Sequence, residues 1–400
     1  MITADQILVK QINKSLVLNY IRKKEHISRA DIAKKTGLNR STVSALVDEL
    51  ITEGLIVEKG IGTSKGGRKP VILAINKNGG SIIGVDLGVN YILTVLTDLL
   101  GKIIWEKRIP IDPQDPPEKN IDLLINMIGK AKENAPDTLK GILGIGIGVP
   151  GIVNYEKGLV LMAPNLKWEN VNLKDIIEEK LNIPVFIDNE ANTGAIGEKW
   201  FGLGKKATNF VYVSAGIGVG TGIIINDELY RGSSGLAGEM GHMTIDMNGK
   251  PCSCDNTGCW EEYASEKALF KYLRDQVSRY TSDSDINREN IDTLTIFDIV
   301  DAAKAGDDLA VSAFRLVGKH LGIGVAGIIN TFNPDLVIIG NTISLAGDIV
   351  MQEITEEVSK RSFITKYSEV TIAPSHLNMH ACAMGAVTLV MSRVFASPNI

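Results

Sequence analysis

Within eighteen consecutive positions the chain places His242, Cys252, Cys254 and Cys259, one imidazole and three thiols. Zinc prefers these donors, and four of them leave no open coordination position, so the set reads as a closed, tetrahedral structural zinc site. Gly249, Pro251 and Gly258 supply the turns such a loop needs to fold back on itself. Crowding three of the four cysteines into 252–259 also argues against a secreted disulfide framework. The fourth, Cys382, stands alone in an apolar helix-like stretch and reads as a small core residue. Near the metal set stand Glu239 and Glu261, and earlier the run Asp188-Asn189-Glu190-Ala191-Asn192. Carboxylates and amides converging from separate segments would suit a polyol, each hydroxyl of which needs a donor and an acceptor.

A different chemistry sits at the other end. The chain carries a net charge of −5. Its first 80 residues hold 14 Lys/Arg against 7 Asp/Glu, and the rest holds 28 against 40. A basic head on an acidic body points to a polyanion partner for the head alone. There Ser28 and Asp31 have the spacing of a capping box over a short helix, which Gly37 would end in a left-handed turn. Val43, Leu46, Val47, Leu50 and Ile51 then recur with helical period. Two helices joined by a short glycine turn, the second polar at its start, form the geometry that enters a major groove. Arg29, Asn39, Arg40, Ser41, Thr42 and Ser44 are the expected DNA contacts of these helices. Strand-like runs at Leu55–Glu58 and Val71–Ile75 flank a glycine-rich basic tip, so Lys65, Arg68 and Lys69 are expected on a wing that touches phosphates or a minor groove.

From about residue 82 the pattern becomes apolar strands closed by glycine turns, alternating with helices. Ile82–Gly88 leading into Tyr91–Thr97 is echoed by Phe210–Gly218 leading into Thr221–Ile225. Two such copies predict a duplicated α/β fold with a cleft between lobes. The glycine turns serve phosphates or tight hairpins equally well. No apolar run approaches the roughly 20 residues a membrane span needs, and no signal peptide precedes the first polar helix. The expected location is the cytoplasm, with no membrane partner.

On these motifs the chain resembles the ROK family, which contains sugar-responsive repressors and sugar kinases. Gly235–His242 resembles the family's sugar-binding signature, and Cys252–Glu261 its zinc signature. The head from Ser28 to Pro70 resembles the winged helix of the repressor branch. The resemblance implies an N-terminal winged helix-turn-helix (residues 1–80), followed by a two-lobed, actin-like sugar-kinase fold (81–400). In that body the zinc loop spans 242–259 and the C-terminal helix returns to the first lobe. It also implies that Gly151, Asn189, Glu190, Glu239, His242 and Glu261 line the sugar pocket, His242 serving metal and sugar together. Kinases of the family carry glycines where this chain has Gly88-Val89-Asn90, Gly216-Ile217-Gly218-Val219-Gly220-Thr221-Gly222 and Gly340-Asn341-Thr342. Their catalytic aspartate falls on Glu190, one methylene longer. The implied function is a repressor, not an enzyme, that binds a palindromic double-stranded operator as a homodimer or higher oligomer. The other reading is a sugar kinase with an appended DNA-binding head. Within the repressor branch, Gln11–Lys14 and Asp188–Asn192 most resemble members from low-GC Gram-positive bacteria. That implies D-xylose as inducer, with glucose or another aldose still open.

Overall fold

The computed structural model describes residues 6–24, 27–61, 70–277, 284 and 286–395. The expected wing-tip contacts Lys65, Arg68 and Lys69 therefore lie outside the described residues. The head comprises α1 (Gln6–Lys23), β1 (Ile27–Ser28), α2 (Arg29–Thr36), α3 (Arg40–Thr52), β2 (Ile56–Ile61) and β3 (Val71–Ile75). The capping box forms: the Ser28 hydroxyl accepts from the Asp31 amide, and the Asp31 carboxylate accepts from the Ser28 amide. Gly37 closes α2 at φ 75°, a left-handed conformation that costs glycine little. Asn39 caps α3 by accepting from the Thr42 amide. The apolar stripe Val43, Leu46, Val47 and Leu50 is buried, and β1, β3 and β2 close an antiparallel sheet behind it.

The body repeats one sheet plan twice. Its first lobe contains β4 (Ser81–Leu87), β5 (Tyr91–Asp98), β6 (Ile103–Pro110), α4 (Pro117–Glu133) and β7 (Ile142–Val149). A small sheet of β8 (Ile152–Asn154), β9 (Leu159–Ala163) and β10 (Trp168–Val171) follows, then α5 (Leu173–Leu181) and β11 (Val185–Asn189). After the crossing helix α6 (Glu190–Trp200), the second lobe holds β12 (Phe210–Ala215), β13 (Val219–Ile225) and β14 (Glu228–Leu229). Helices α7 (Glu261–Ala264), α8 (Glu266–Gln276), α9 (Ile296–Ala305) and α10 (Asp308–Phe332) come next, then β15 (Leu336–Gly340), α11 (Asp348–Arg361) and β16 (Thr371–Pro374). The chain returns to the first lobe with α12 (Ala381–Phe395). The sheets run β11-β7-β4-β5-β6 and β14-β13-β12-β15-β16. Read outward from β4 and β12 they share one order, each with an antiparallel hairpin on one side and parallel strands on the other.

The alternation in β7 shows how sequence seats a helix here. Ile145, Ile147 and Val149 point into the apolar core shared with α4 and α5, where each fully buried side chain contributes roughly 1.5–3 kcal/mol. Gly144, Gly146 and Gly148 face the opposite way and receive α12. A Cβ on Gly146 would stand 1.8 Å from the Ala386 carbonyl oxygen. Helix α10, 25 residues long, is apolar enough by composition to cross a membrane, yet most of its apolar window is buried as the core helix of the second lobe.

Candidate functional site

Between the lobes lies a cleft of ≈ 630 Å³ whose lining includes Gly151, Asn189, Glu190, Glu239, His242 and Glu261. They arrive from four segments. Gly151, at φ 90°, makes the turn after β7 and lies flush against the small sheet, where a Cβ would meet the Met162 carbonyl oxygen at 2.2 Å. The Asn189 side chain caps α6 by accepting from the Ala191 and Asn192 amides, and it donates to the Gly151 carbonyl at 2.9 Å. One of its two amide hydrogens is left for a ligand. Glu261 is held by the second glycine turn, its Oε2 accepting from the Val219 amide at 3.1 Å. Glu190 opens α6 on the cleft floor. Burial, reinforced by the charges of Asp86, Glu261 and Glu239, pushes its carboxyl up to about 8, so it is mostly neutral at pH 7. Asp188 and Asn192 turn away from the cleft, against the expectation that the whole 188–192 run converges there. Asp188 is buried and takes both guanidinium nitrogens of Arg231, which reaches over from the second lobe and stacks 3.8 Å above the Tyr155 ring. A second tie between lobes runs from Lys267 to Asn165 at 2.7 Å.

Beside the cleft, His242, Cys252, Cys254 and Cys259 bring four donor atoms within 4.8 Å of one another. Cys252 Sγ is 3.7 Å from His242 Nδ1, and Cys254 Sγ is 3.6 Å from Cys259 Sγ. With metal–ligand distances of about 2.0–2.3 Å, the edges of a tetrahedral zinc site are roughly 3.5–3.8 Å, so the donor set fits that metal. Binding through Nδ1 would leave His242 Nε2 for the cleft, which the residue also lines.

At the far end of the cleft, side chains pack over the glycine turns at Gly88 and Gly216. The Tyr91 ring packs over Gly88, within 2.4 Å of where a Cβ would stand, and its hydroxyl donates to Asp86 Oδ2 at 2.7 Å. Arg108 lies 4.1 Å above that ring. Asn341 adopts φ 67°, a conformation costly outside glycine. Its amide covers Gly216 and donates to the Ser214 hydroxyl at 3.1 Å. Tyr91, Arg108 and Arg231 were missed by sequence reasoning. None has a spacing signal, and each acts through a tertiary contact.

On the head, Asn39, Arg40 and Ser41 are exposed at the start of α3, with Thr42 and Ser44 half-buried beside them. The Ser41 hydroxyl donates to Asn39 Oδ1 at 2.8 Å. Arg29 stands apart from this row. Its guanidinium bridges Asp48 at 2.8 Å and Glu58 at 2.7 Å, tying α2, α3 and β2 together.

Residues 82–393 match the ROK family, and residues 12–57 match the winged helix-turn-helix DNA-binding family. The chain belongs to the ROK family. It is 48% identical to the xylose repressor of Caldicellulosiruptor bescii, over 98% of each chain. Among solved structures it resembles a ROK family transcriptional regulator, a homologue of the E. coli MLC protein, at TM-score 0.82 and 30% identity over 97% of each chain. It also resembles a ROK family glucokinase from Streptomyces griseus, solved with glucose and AMPPNP, at TM-score 0.72 and 30% identity. That likeness covers 78% of this chain and 99% of the kinase. A ROK body behind a winged helix is thus the architecture of this chain.

Proposed function

We propose that this chain is a cytoplasmic, sugar-responsive transcriptional repressor. It would bind a palindromic operator as a homodimer or higher oligomer and leave it when D-xylose enters the cleft. The observation that carries the reading is the pairing of a cleft lined by Asn189, Glu190, Glu239, His242 and Glu261 with an exposed helix start in a helix-turn-helix head of the same chain. The near full-length likeness to a xylose repressor supports the choice of sugar. His242, Cys252, Cys254 and Cys259 would hold a structural zinc that orients His242 and the segment leading to Glu261. Two heads would present their α3 helices to half-sites about 34 Å apart, or a multiple of it. The kinase reading draws on the glucokinase likeness and on the carboxyl at Glu190. Against it, Glu190 is one methylene longer than the aspartate expected of the family's kinases, which would displace it as a general base. Tyr91 over Gly88 and Asn341 over Gly216 would also crowd phosphates at those two turns.

The test is anisotropy of labelled DNA from upstream of a xylose operon, at fixed salt. Tight binding weakened at least about tenfold by D-xylose, or 1.4 kcal/mol, is expected. Tight binding indifferent to D-xylose would move the search to glucose and other aldoses. Absence of specific binding would overturn the repressor reading, and sugar-dependent ADP release would then be measured. Arg40→Ala is expected to cost about 1–3 kcal/mol of operator affinity, because an exposed guanidinium at the start of α3 is placed for a guanine edge or a phosphate. An affinity unchanged at fixed salt would remove Arg40 from the interface.

A further inference from the structure

The two lobes meet along a pair of helices, and both helices end under one side chain of the head. Helix α6 packs on the second lobe's sheet, where a Cβ on Gly222 would stand 2.4 Å from the Ala191 carbonyl oxygen. Helix α12 packs on the first lobe's sheet over the glycine face of β7. The helices touch each other backbone to backbone. A Cβ on Gly385 would stand 1.6 Å from the Thr193 carbonyl oxygen, and one on Gly197 would stand 2.2 Å from that of Ala381. This crossing is the seam between the lobes.

At the cleft end, α6 starts with Glu190. Cys382 of α12 lines the small polar cavity behind it, together with Asp86, Tyr91 and Tyr212. At the other end, α6 finishes at Trp200 and α12 at Phe395. Arg22 of head helix α1 lies 4.0 Å above the Trp200 ring and 5.6 Å above that of Phe395. Asn19, one turn earlier, donates to the Phe395 carbonyl at 2.7 Å and accepts from Arg22 Nε at 3.4 Å. Among the described residues Arg22 makes no ion pair with a carboxylate, so the two rings and Asn19 are what hold it.

We propose that Arg22 is the positioning residue through which the body sets the orientation of the DNA-binding head. It docks α1 on the ends of both seam helices and so reads the angle between the lobes. Close packing at Gly197 and Gly385 makes the crossing a pivot, since backbones in contact can rotate but not approach. When the cleft closes on a sugar, the sheets turn toward each other and carry α6 and α12 with them. Their far ends then shift relative to one another, and one guanidinium cannot keep its place over both rings. The head is released from the pose that fits the operator. The route is a contiguous chain of packed elements from Glu190 to α1. The proposal rests on the repressor reading above and assigns the coupling to a residue that lies outside the cleft.

The test uses the full-length chain and its variants Arg22→Gln and Arg22→Lys, with operator anisotropy and D-xylose calorimetry. In Arg22→Gln, which still binds D-xylose, sugar-free operator affinity is expected to fall toward that of the sugar-bound unmodified chain, while operator affinity in saturating sugar stays within about threefold of the unmodified chain's. The weakening of operator binding by sugar is expected to fall from tenfold or more to less than about threefold. Arg22→Lys, which keeps a cation over the rings, is expected to recover part of it. A merely structural Arg22 would lower operator affinity equally with and without sugar, leaving the ratio intact, and that result overturns the proposal. If Arg22→Gln does not fold, amide exchange on the unmodified chain decides. Sugar is expected to alter exchange in residues 16–23 and 390–395, and changes confined to the cleft overturn the assignment. An unmodified chain that shows no sugar effect on operator binding sinks the repressor reading itself, a failure distinct from an intact ratio in the variant.

Discussion

Cys254→Ser is expected to lose its metal, to weaken sugar binding about a hundredfold or more, and to leave operator binding by the head intact. Of the three thiols, Cys254 isolates the metal's contribution, because its side chain is exposed while Cys252 and Cys259 are buried. Serine in its place removes a ligand with little loss of packing. The consequences should spread along two covalent connections into the cleft. His242 would lose the partner that fixes its ring and leaves Nε2 toward the sugar. Cys259 leads directly into Trp260, which is fully buried, donates from Nε1 to the His320 carbonyl at 2.8 Å and packs flat on Gly324. Next in sequence, Glu261 is held by the Val219 amide. Trp260 anchors one side of that segment, and a metal held by His242, Cys252, Cys254 and Cys259 would anchor the other. Removing even a supporting partner of a metal ligand commonly costs 10–100-fold in metal affinity or activity, and removing a ligand costs more. Zinc content by mass spectrometry and sugar affinity by calorimetry check the expectation. A zinc-free variant that binds sugar as tightly as the unmodified chain would take the metal out of the pocket's design.

What could be seen in the sequence follows from how far each signal reaches along the chain. The Ser28–Asp31 cap and the left-handed Gly37 are local, and a few residues suffice to specify them. The zinc set is similarly compact, its four ligands falling within one loop. The two-lobed plan was visible because the same strand–turn–strand pattern occurs twice. By contrast, Arg231 finds Asp188 from 43 positions away, across the gap between lobes. Arg22 meets Phe395 across almost the whole chain. Neither pair has a period or a motif, only a meeting place that exists once the lobes are packed. Asp188 illustrates the resulting error. Its neighbours Asn189 and Glu190 do line the cleft, but strand alternation turns the preceding side chain to the opposite face. A carboxylate expected to converge on the cleft with its neighbours is instead a tie between lobes.

Glu190→Gln is expected to stabilise the chain at alkaline pH and to leave its stability near pH 5 almost unchanged. The carboxyl of Glu190 is pushed from its ordinary 4.5 up to about 8, first by burial and then by Asp86, Glu261 and Glu239. Between those values the folded chain keeps the proton while the unfolded chain has lost it. Unfolding therefore releases a proton, and stability falls as pH rises, by about 1.4 kcal/mol per unit while the difference lasts. The stabilisation is complete below about pH 4.5 and gone above about pH 8. Summed over the window, the loss is about 3–5 kcal/mol, the lower figure suiting a carboxyl that keeps one side toward cleft water. Asp86, raised to about 6 chiefly by burial, adds a smaller loss of the same sign at lower pH. Glutamine keeps the size and hydrogen-bonding capacity of the neutral acid but cannot ionise, so the variant escapes the penalty. Denaturant unfolding of both proteins from pH 5 to 8.5 tests this, and a stability difference independent of pH would show that Glu190 is ionised throughout. The same protonation state bears on function. A neutral Glu190 could both donate to and accept from a hydroxyl of a ligand in the cleft, where the ionised carboxylate could only accept.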